Sequence, residues 1–410
     1  MNIVNKIKNA NTGREPERLA MKYQAMRRNP FVFMRGSCSL FYDRLVKTGI
    51  VATAPLVWSC GDLHSENFGS YKGDNRLVYV DMNDFDEAAL APASWDLVRM
   101  LTSILLGAQS FGMSDASAKA LCVEFLGAYG STLSTGRAIW LERDTSHGAV
   151  RHLLDQVRCR TRVAFLDSRT ERKGKRRSFR LTGTRMLPVT AQQRSEVTTF
   201  IAGFARGQPD PDFYKVLDVA RRVAGTGSLG VDRYAILVQG KGSPDQNYLL
   251  DLKEARQSSI ATHLPGIQPV WRSHAERVLS VQQRMQAVPM AFLHAVDWKD
   301  TSYILRALQP SEDRVVFSAS GKDASSLPGV ANTMGVCVAS AQLRSAGRQN
   351  SAIADALMAF ANRKKWAAKL LVAATDMADR TTRDWMTYCD AYDALKFAPA
   401  AGGSDRPGTK

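Results

Sequence analysis

The sequence has no CxxC pair, and its six cysteines (Cys38, Cys60, Cys122, Cys159, Cys337 and Cys389) are scattered along 410 residues. That argues against a disulfide framework and against a cysteine-rich zinc centre, and it suits a reducing compartment. No uninterrupted apolar run reaches the ~18 residues of a membrane span. The opening stretch MNIVNKIKNANTGREPERLA lacks the apolar core of a signal peptide. No membrane span and a cytoplasmic location are therefore expected. No internal repeat is visible. Acidic charge is also in short supply: 39 Asp and Glu stand against 55 Lys and Arg, a net charge of +16. A basic balance favours acidic partners, whether nucleotides, nucleic acid or anionic lipid, without choosing among them. Hydrophobic content of 45% and aromatic content of 8% are ordinary for a globular chain, and the length allows two lobes.

Periodicity and turn residues organise the chain. Helix is expected over 15–47, interrupted at Arg28–Phe31. PLVWSC (55–60) suits a buried strand entering a loop. FGSYKGDNRLVYVDM suits a hairpin with its turn at 72–75. A mostly buried helix is expected from Ser94, then helices over 114–134 and 147–166. The run RTERKGKRRSFR (169–180) is so basic that it reads as a solvated linker or hairpin tip. Helices are expected at 192–206 and 212–223. A β-rich stretch over 225–255 follows, then a helix at 272–288, two strands within 291–310, and helix from Val330 onward.

Three motifs carry chemistry. The first is CGDLHSENFG (60–69), with Asp62 and Asn67 on one loop, followed by VDMNDFDEA (80–88) with Asp81, Asp84 and Asp86. Phosphoryl transfer needs a carboxylate at the attacking hydroxyl and oxygen ligands for magnesium. Asp62 suits the first role. Asn67 and one or more of the later aspartates suit the second. As isolated turn residues they would only make local Asx bonds. The second motif is GTGSLG, with Gly225, Gly227, Ser228 and Gly230 in G-x-G-x-x-G spacing. A dinucleotide fingerprint needs a helix after the glycines, but VDRYAILVQG reads as strand, so a phosphate-covering hairpin is the better reading. The third is YLLDLKEA, where Lys253 sits in an apolar strand and is placed to meet α- and β-phosphates. These are the parts of a kinase-like site with the order of the parts reversed, as a circular permutation would produce.

GDLHSEN, NDFDEA and PASWDL resemble the motifs of aminoglycoside-phosphotransferase-like and choline-kinase-like enzymes. In that pattern the metal aspartate precedes the helix aspartate by the spacing of Asp84 to Asp96, so the resemblance selects Asp84 over Asp81. Cys60 departs from it, standing where those enzymes have histidine. NPFVFMRG, CGDLHSENFG, DMNDFDEA, WDLVR, DVARRVAGTGSLG, DLKEA and RVLSVQQRMQ together resemble a bacterial family known as domain of unknown function 2252, over residues 17–395. A kinase helix glutamate pairs with the lysine. Glu276 is the candidate here, since Gln282 in the best-matching segment cannot form an ion pair. Asp96 is expected to hold the loop backbone and His64 to be a structural hydrogen-bonder.

The fold expected is α+β, two-lobed and kinase-like with permuted lobe order. Residues 1–210 and 316–400 would make the helical lobe and 211–315 the antiparallel β-rich lobe, with a flexible tail at 401–410 and a hinge at LRALQP (305–310) facing adenine. The function expected is ATP- and Mg²⁺-dependent phosphoryl transfer to a hydroxyl of an unidentified small molecule or protein. Asp62 and Lys253 would be catalytic, Asn67, Asp84 and Asp86 would bind metal, and the glycine turn, Lys253 and Glu276 would hold nucleotide. AMP transfer and a catalytically silent nucleotide-binding module are the alternatives. Nucleic acid is the less favoured partner.

Overall fold

A computed structural model describes residues 2–309, 314–315 and 326–398. The tail at 401–410, Pro310 of the expected hinge and the stretch 316–325 lie outside the described residues.

The chain opens with short helices: α1 (Ile3–Ala10), α2 (Pro16–Met26), α3 (Pro30–Gly36), α4 (Cys38–Arg44) and α5 (Ile50–Thr53). Proline opens α2 and α3, where its missing N–H costs nothing, and Asn29 caps α3 by accepting from Val32 N at 2.8 Å. That Asn-Pro junction is the interruption expected at Arg28–Phe31. Next come β1 (Leu56–Ser59), the hairpin β2 (Phe68–Lys72) and β3 (Val78–Met82), then β4 (Ala89–Pro92), which returns to pair with β1. α6 (Ala93–Gly107) follows at once. It is apolar on almost every face and runs through the main core, with Leu97, Val98, Leu101 and Ile104 all buried. α7 (Asp115–Thr135), α8 (Gly148–Cys159) and α9 (Arg162–Asp167) lead to the hairpin β5 (Thr170–Lys173) and β6 (Arg176–Phe179). This hairpin is the basic run.

The second body is a six-stranded antiparallel sheet. Its strands are β7 (Met186–Leu187), β8 (Val216–Arg222), β9 (Arg233–Val238), β10 (Tyr248–Glu254), β11 (His294–Trp298) and β12 (Thr301–Ala307), in the spatial order β11-β12-β10-β9-β8-β7. α10 (Ala191–Ala205) lies between β7 and β8, and α11 (His274–Met285) between β10 and β11. The sheet thus draws in residues before 211. One face packs Tyr234, Ile236, Leu250, Leu252 and Leu305 against Val197 and Ile201 of α10. Strand side chains alternate, so the other face carries Ala220, Ala235, Leu237 and Leu249. These are covered by Leu166 of α9 and Phe179 of β6.

The helix expected at 212–223 is not there. Asp210 caps a single 3₁₀ turn, Pro211–Tyr214, and the chain then runs as β8 paired with β9. Val219 faces the α10 side, and Ala220 and Arg222 lie on the alternate positions, so cross-strand pairing overrides a helical local pattern.

α12 (Leu327–Arg344), α13 (Ala354–Ala361) and α14 (Trp366–Asp393) complete the helical body. α12 lies close along α7: a Cβ at Gly335 would overlap the carbonyl oxygen of Phe125, so the two backbones meet where only glycine fits. Among the described residues no helix is long and apolar enough to cross a membrane.

Candidate active site

β1 delivers the first loop. At its end Gly61 takes a positive φ of 86°, and any Cβ there would overlap the carbonyl oxygen of Glu87, so the turn requires glycine. Asp96, fully buried at the start of α6, accepts from Cys60 N at 3.0 Å and Gly61 N at 3.1 Å. It is the backbone anchor expected of it. Arg99, one turn further along α6 and also fully buried, donates to Oδ1 of Asp62 from Nε at 2.9 Å and from Nη2. Its guanidinium lies over the Phe41 ring at 4.7 Å. A planar fork held by stacking and by two bonds to one oxygen fixes the carboxylate of Asp62 in place. The sequence reading passed over Arg99. Its spacing from Asp96, three positions along one helix, puts both on the same face and is the signal that could have found it.

The rest of the loop is similarly tied. His64 Nδ1 accepts from Glu66 N at 3.1 Å. Burial, reinforced by Arg35, Arg99 and Arg314, holds its pKa well below the ordinary histidine value, so it is the neutral structural acceptor expected. Asn67 donates to the carbonyl oxygens of Asp62 at 3.3 Å and Asp84 at 3.4 Å, joining the two aspartate-bearing loops.

In the second loop the three aspartates part ways. Asp81 is buried away from the cavity, ion-paired to Arg344 at 2.6 Å and accepting from Ala287 N at 3.2 Å. Asp84 and Asp86 line the cavity. Burial opposes ionisation of Asp84, but Lys253, Arg306, the Asp86 N–H and Arg233 outweigh it, and its carboxyl sits below the ordinary range. Asp86 is the ion-pair partner of Lys253 on β10. Glu276 is not: it lies in the first turn of α11, where its carboxylate accepts from Arg272 N at 2.6 Å. What α11 supplies to this region is Arg277, which donates to the carbonyl oxygens of Asp86 at 2.8 Å, of Arg256 at 2.8 Å and of Ala88. The helix therefore positions Asp86, and Asp86 meets the lysine.

The glycine segment is the turn between β8 and β9, a hairpin as expected. Gly225, Gly227 and Ser228 line the cavity. Gly230 does not; its φ of 82° and its packing against Arg14 and Glu15 make it a backbone requirement. Gly227 rests on the end of α3 and on the first loop, where a Cβ would lie 3.2 Å from Arg35 O and 3.6 Å from Asp62 Oδ2. Arg14 donates to the carbonyl oxygens of Gly227 and Leu229, each at 2.7 Å, and the buried Lys22 donates to Gly227 O at 3.0 Å. Neither Arg14 nor Lys22 was singled out from the sequence, where more than two hundred residues separate them from the turn.

Asp62, Asn67, Asp84, Asp86, Lys253, Gly225, Gly227 and Ser228 meet at one cavity of about 630 Å³, a size that suits a small-molecule ligand. The expected hinge lends the cavity the side chains of Arg306 and Gln309, but two of its backbone groups are already engaged: Leu308 N donates to Leu249 O at 2.9 Å, and Gln309 O accepts from Arg222 at 3.0 Å.

Residues 14–391 match the model of a family described as an uncharacterized protein conserved in bacteria, DUF2252. The chain belongs to that family. No curated protein and no solved structure matches it. In this DUF2252 chain CGDLHSENFG, DMNDFDEA, DVARRVAGTGSLG and DLKEA each put residues on the walls of this cavity, and WDLVR stands behind it through the bond from Arg99 to Asp62.

Proposed function

We propose that the cavity binds a magnesium-bound nucleoside triphosphate and directs transfer of its terminal phosphoryl group to an acceptor hydroxyl. One observation carries this reading: Asp62, Asn67, Asp84, Asp86, Lys253 and the glycine turn, drawn from distant stretches of chain, line a single cavity. The connectivity supports a permuted kinase-like arrangement as well. A glycine-rich hairpin joins β8 to β9, the lysine follows on β10, and α11 precedes β11 and β12, while the Asp62 loop comes first in the chain.

The residues suit a metal that arrives with phosphates. Among the described residues no three His, Cys, Asp or Glu form a metal cluster, so a metal held by protein alone is not what they fit. Magnesium in phosphoryl-transfer sites takes one or two carboxylates and completes its shell with phosphate oxygens and water. The low-lying carboxyl of Asp84 meets that need, with Asn67 beside it. Asn83 adds a buried side-chain oxygen without a hydrogen-bond partner that also lines the cavity. Bound there, the ion supplies neutralisation of charge on the transferred group.

The chain's own groups do the rest. Arg99 holds Oδ1 of Asp62, leaving Oδ2 toward the glycine turn to orient the acceptor and take its proton. The acceptor oxygen bonds to the γ-phosphorus as the bond from that phosphorus to the β,γ-bridging oxygen breaks, and the nucleoside diphosphate leaves. Lys253 exchanges Asp86 for phosphate when nucleotide arrives, which frees that carboxylate.

AMP transfer from the same nucleotide is the second reading, favoured by the arginines on the sheet side of the cavity. Incubation with γ- and α-labelled ATP and Mg²⁺, against bacterial lysate and metabolite pools, tests both. Label from the γ position is expected in product. Label from the α position moves the assignment to AMP transfer. Nucleotide binding with neither label transferred marks a silent binding module, and no Mg²⁺-dependent nucleotide binding removes the reading altogether.

A further inference from the structure

The sheet side of the cavity is unlike a slot for a base. A flat aromatic ring needs apolar surfaces above and below it, and the apolar side chains on this face of the sheet are already covered. Ala220, Ala235, Leu237 and Leu249 pack beneath Leu166 and Phe179. What remains open to the cavity is charged: Arg222 on β8, Arg233 on β9, Lys253 on β10 and Arg306 on β12.

Among the arginines stands one carboxylate, Asp251, fully buried on the same face of β10 as Lys253. Arg233 engages both of its oxygens, Nε to Oδ1 at 2.8 Å and Nη2 to Oδ2 at 2.6 Å. Each of the other two arginines is close but leaves a donor unused, although Nη2 of Arg222 donates to Gln309 O. Nη1 of Arg222 lies 2.9 Å from Oδ2 without the alignment to donate, and Nε of Arg306 lies 3.5 Å away; both atoms are buried without a hydrogen-bond partner. Nε2 of Gln309 is in the same condition beside them. Arg233 and Arg306 also face Asp84, yet Nη1 of Arg222, Nε of Arg306 and Nε2 of Gln309 remain buried donors without an acceptor, an arrangement costly unless an anion completes it. Burial foremost, with Arg233 and Arg306 adding to it, pushes Arg222 down to about 10 despite Asp251.

We propose that Arg222 and Arg306, backed by Arg233 and Gln309, form a subsite for a phosphate-class anion on the sheet side of the cavity. It rests on the reading of the cavity as a nucleotide site, and it means that the base lies elsewhere than under the sheet. Two sources carry this chemistry: the β- and γ-phosphates of a nucleotide that enters phosphates-first, or a phosphate borne by the acceptor. Guanidinium forks match the paired oxygens of either.

Inorganic tripolyphosphate is the probe, titrated calorimetrically into the full chain without nucleotide. Arg306→Met and Arg222→Met are expected to weaken its binding at least tenfold each. Arg306→Lys, which keeps the charge and removes the fork, should fall between, and it serves if a methionine variant does not fold. Tripolyphosphate affinity in Arg306→Lys and the folded methionine variants equal to that of the wild type would overturn the subsite. The labelled-ATP assay separates the sources. Transfer of α-label, with ATP affinity lost in Arg306→Met or Arg306→Lys, assigns the subsite to the donor. Transfer of γ-label, with ATP affinity kept in those variants, assigns it to a phosphorylated acceptor. Loss of all Mg²⁺-dependent nucleotide binding in the wild type, with arginine-dependent tripolyphosphate binding intact, would remove the nucleotide reading and leave the anion subsite standing.

Discussion

Asp62 and Asp84 are both aspartates of one cavity, yet their surroundings assign them different work. Asp62 has one oxygen fixed by Arg99 and the other turned to the glycine turn. Its replacement by asparagine keeps shape and leaves Arg99 an oxygen to meet, but removes the carboxylate proposed to accept the proton. Asp62→Asn should therefore bind Mg²⁺-nucleotide within about twofold of the wild type and turn over ~10²–10⁴-fold more slowly, the span of general acid–base catalysis. In the proposed reaction Asp84 acts through charge. Asp84→Asn should lose the Mg²⁺ dependence of nucleotide binding and nearly all turnover, with the melting temperature little changed. Asp81→Asn should do the reverse, leaving metal dependence intact and acting on the melting temperature, because Asp81 faces away from the cavity and pairs with the partly buried Arg344. Calorimetry of nucleotide binding with and without Mg²⁺, beside thermal melts, checks all three. Metal dependence lost in Asp81→Asn and kept in Asp84→Asn would reverse the assignment.

At the scale of elements, the glycine turn is the part whose conformation is most dictated by its neighbours. It is held to the N-terminal helices by Arg14 and Lys22, and it rests on the loop bearing Asp62. Gly227→Val would press side-chain atoms against the carbonyl oxygen of Arg35, since even the Cβ would be 3.2 Å away. The turn must lift, at a cost of roughly 1–3 kcal/mol for overpacking. Nucleotide affinity should drop about tenfold or more while far-UV circular dichroism stays the same; unchanged affinity would mean that the turn does not touch the nucleotide. Elements also mark how far the sequence can be read. β1, the β2–β3 hairpin, α6, α10 and α11 follow from short-range periodicity and turn residues, and they lie where expected. β8 does not, because its strand character comes from pairing with β9. The Asp62 and Asp84 loops were legible because each motif is local. The Lys253–Asp86 pair joins residues 167 apart, and no local pattern announces it. The same holds for the Arg222–Asp251–Arg306 set, whose members come from three strands and meet only once the sheet is built.

For the molecule as a whole, burial of histidine sets a pH limit. His64, His263, His274 and His294 all have pKa values lowered, primarily by burial. A histidine whose folded pKa lies below its unfolded value binds fewer protons in the native state, so stability is lost as pH falls below the unfolded value of 6.5. His64, lowered well below 6.5, should contribute a slope approaching about 1.4 kcal/mol per pH unit under that point. Asp81, Glu87 and Asp96 are raised by burial and act in the opposite sense, favouring the native state at lower pH. The two contributions separate in a His64→Asn variant, which keeps an acceptor for the Glu66 N–H and leaves the carboxyl groups as they are. Urea unfolding between pH 7.5 and pH 5.5 should show wild-type stability declining more steeply than that of the variant. Parallel curves would mean that His64 does not gain a proton on unfolding. Because His64 sits between Asp62 and Asn67, its protonation strips the Glu66 N–H of its acceptor and loosens the loop that carries both. The folded His64 stays neutral until well below pH 6.5, so wild-type nucleotide turnover should hold across that interval and fail only at lower pH, with His64→Asn failing later still.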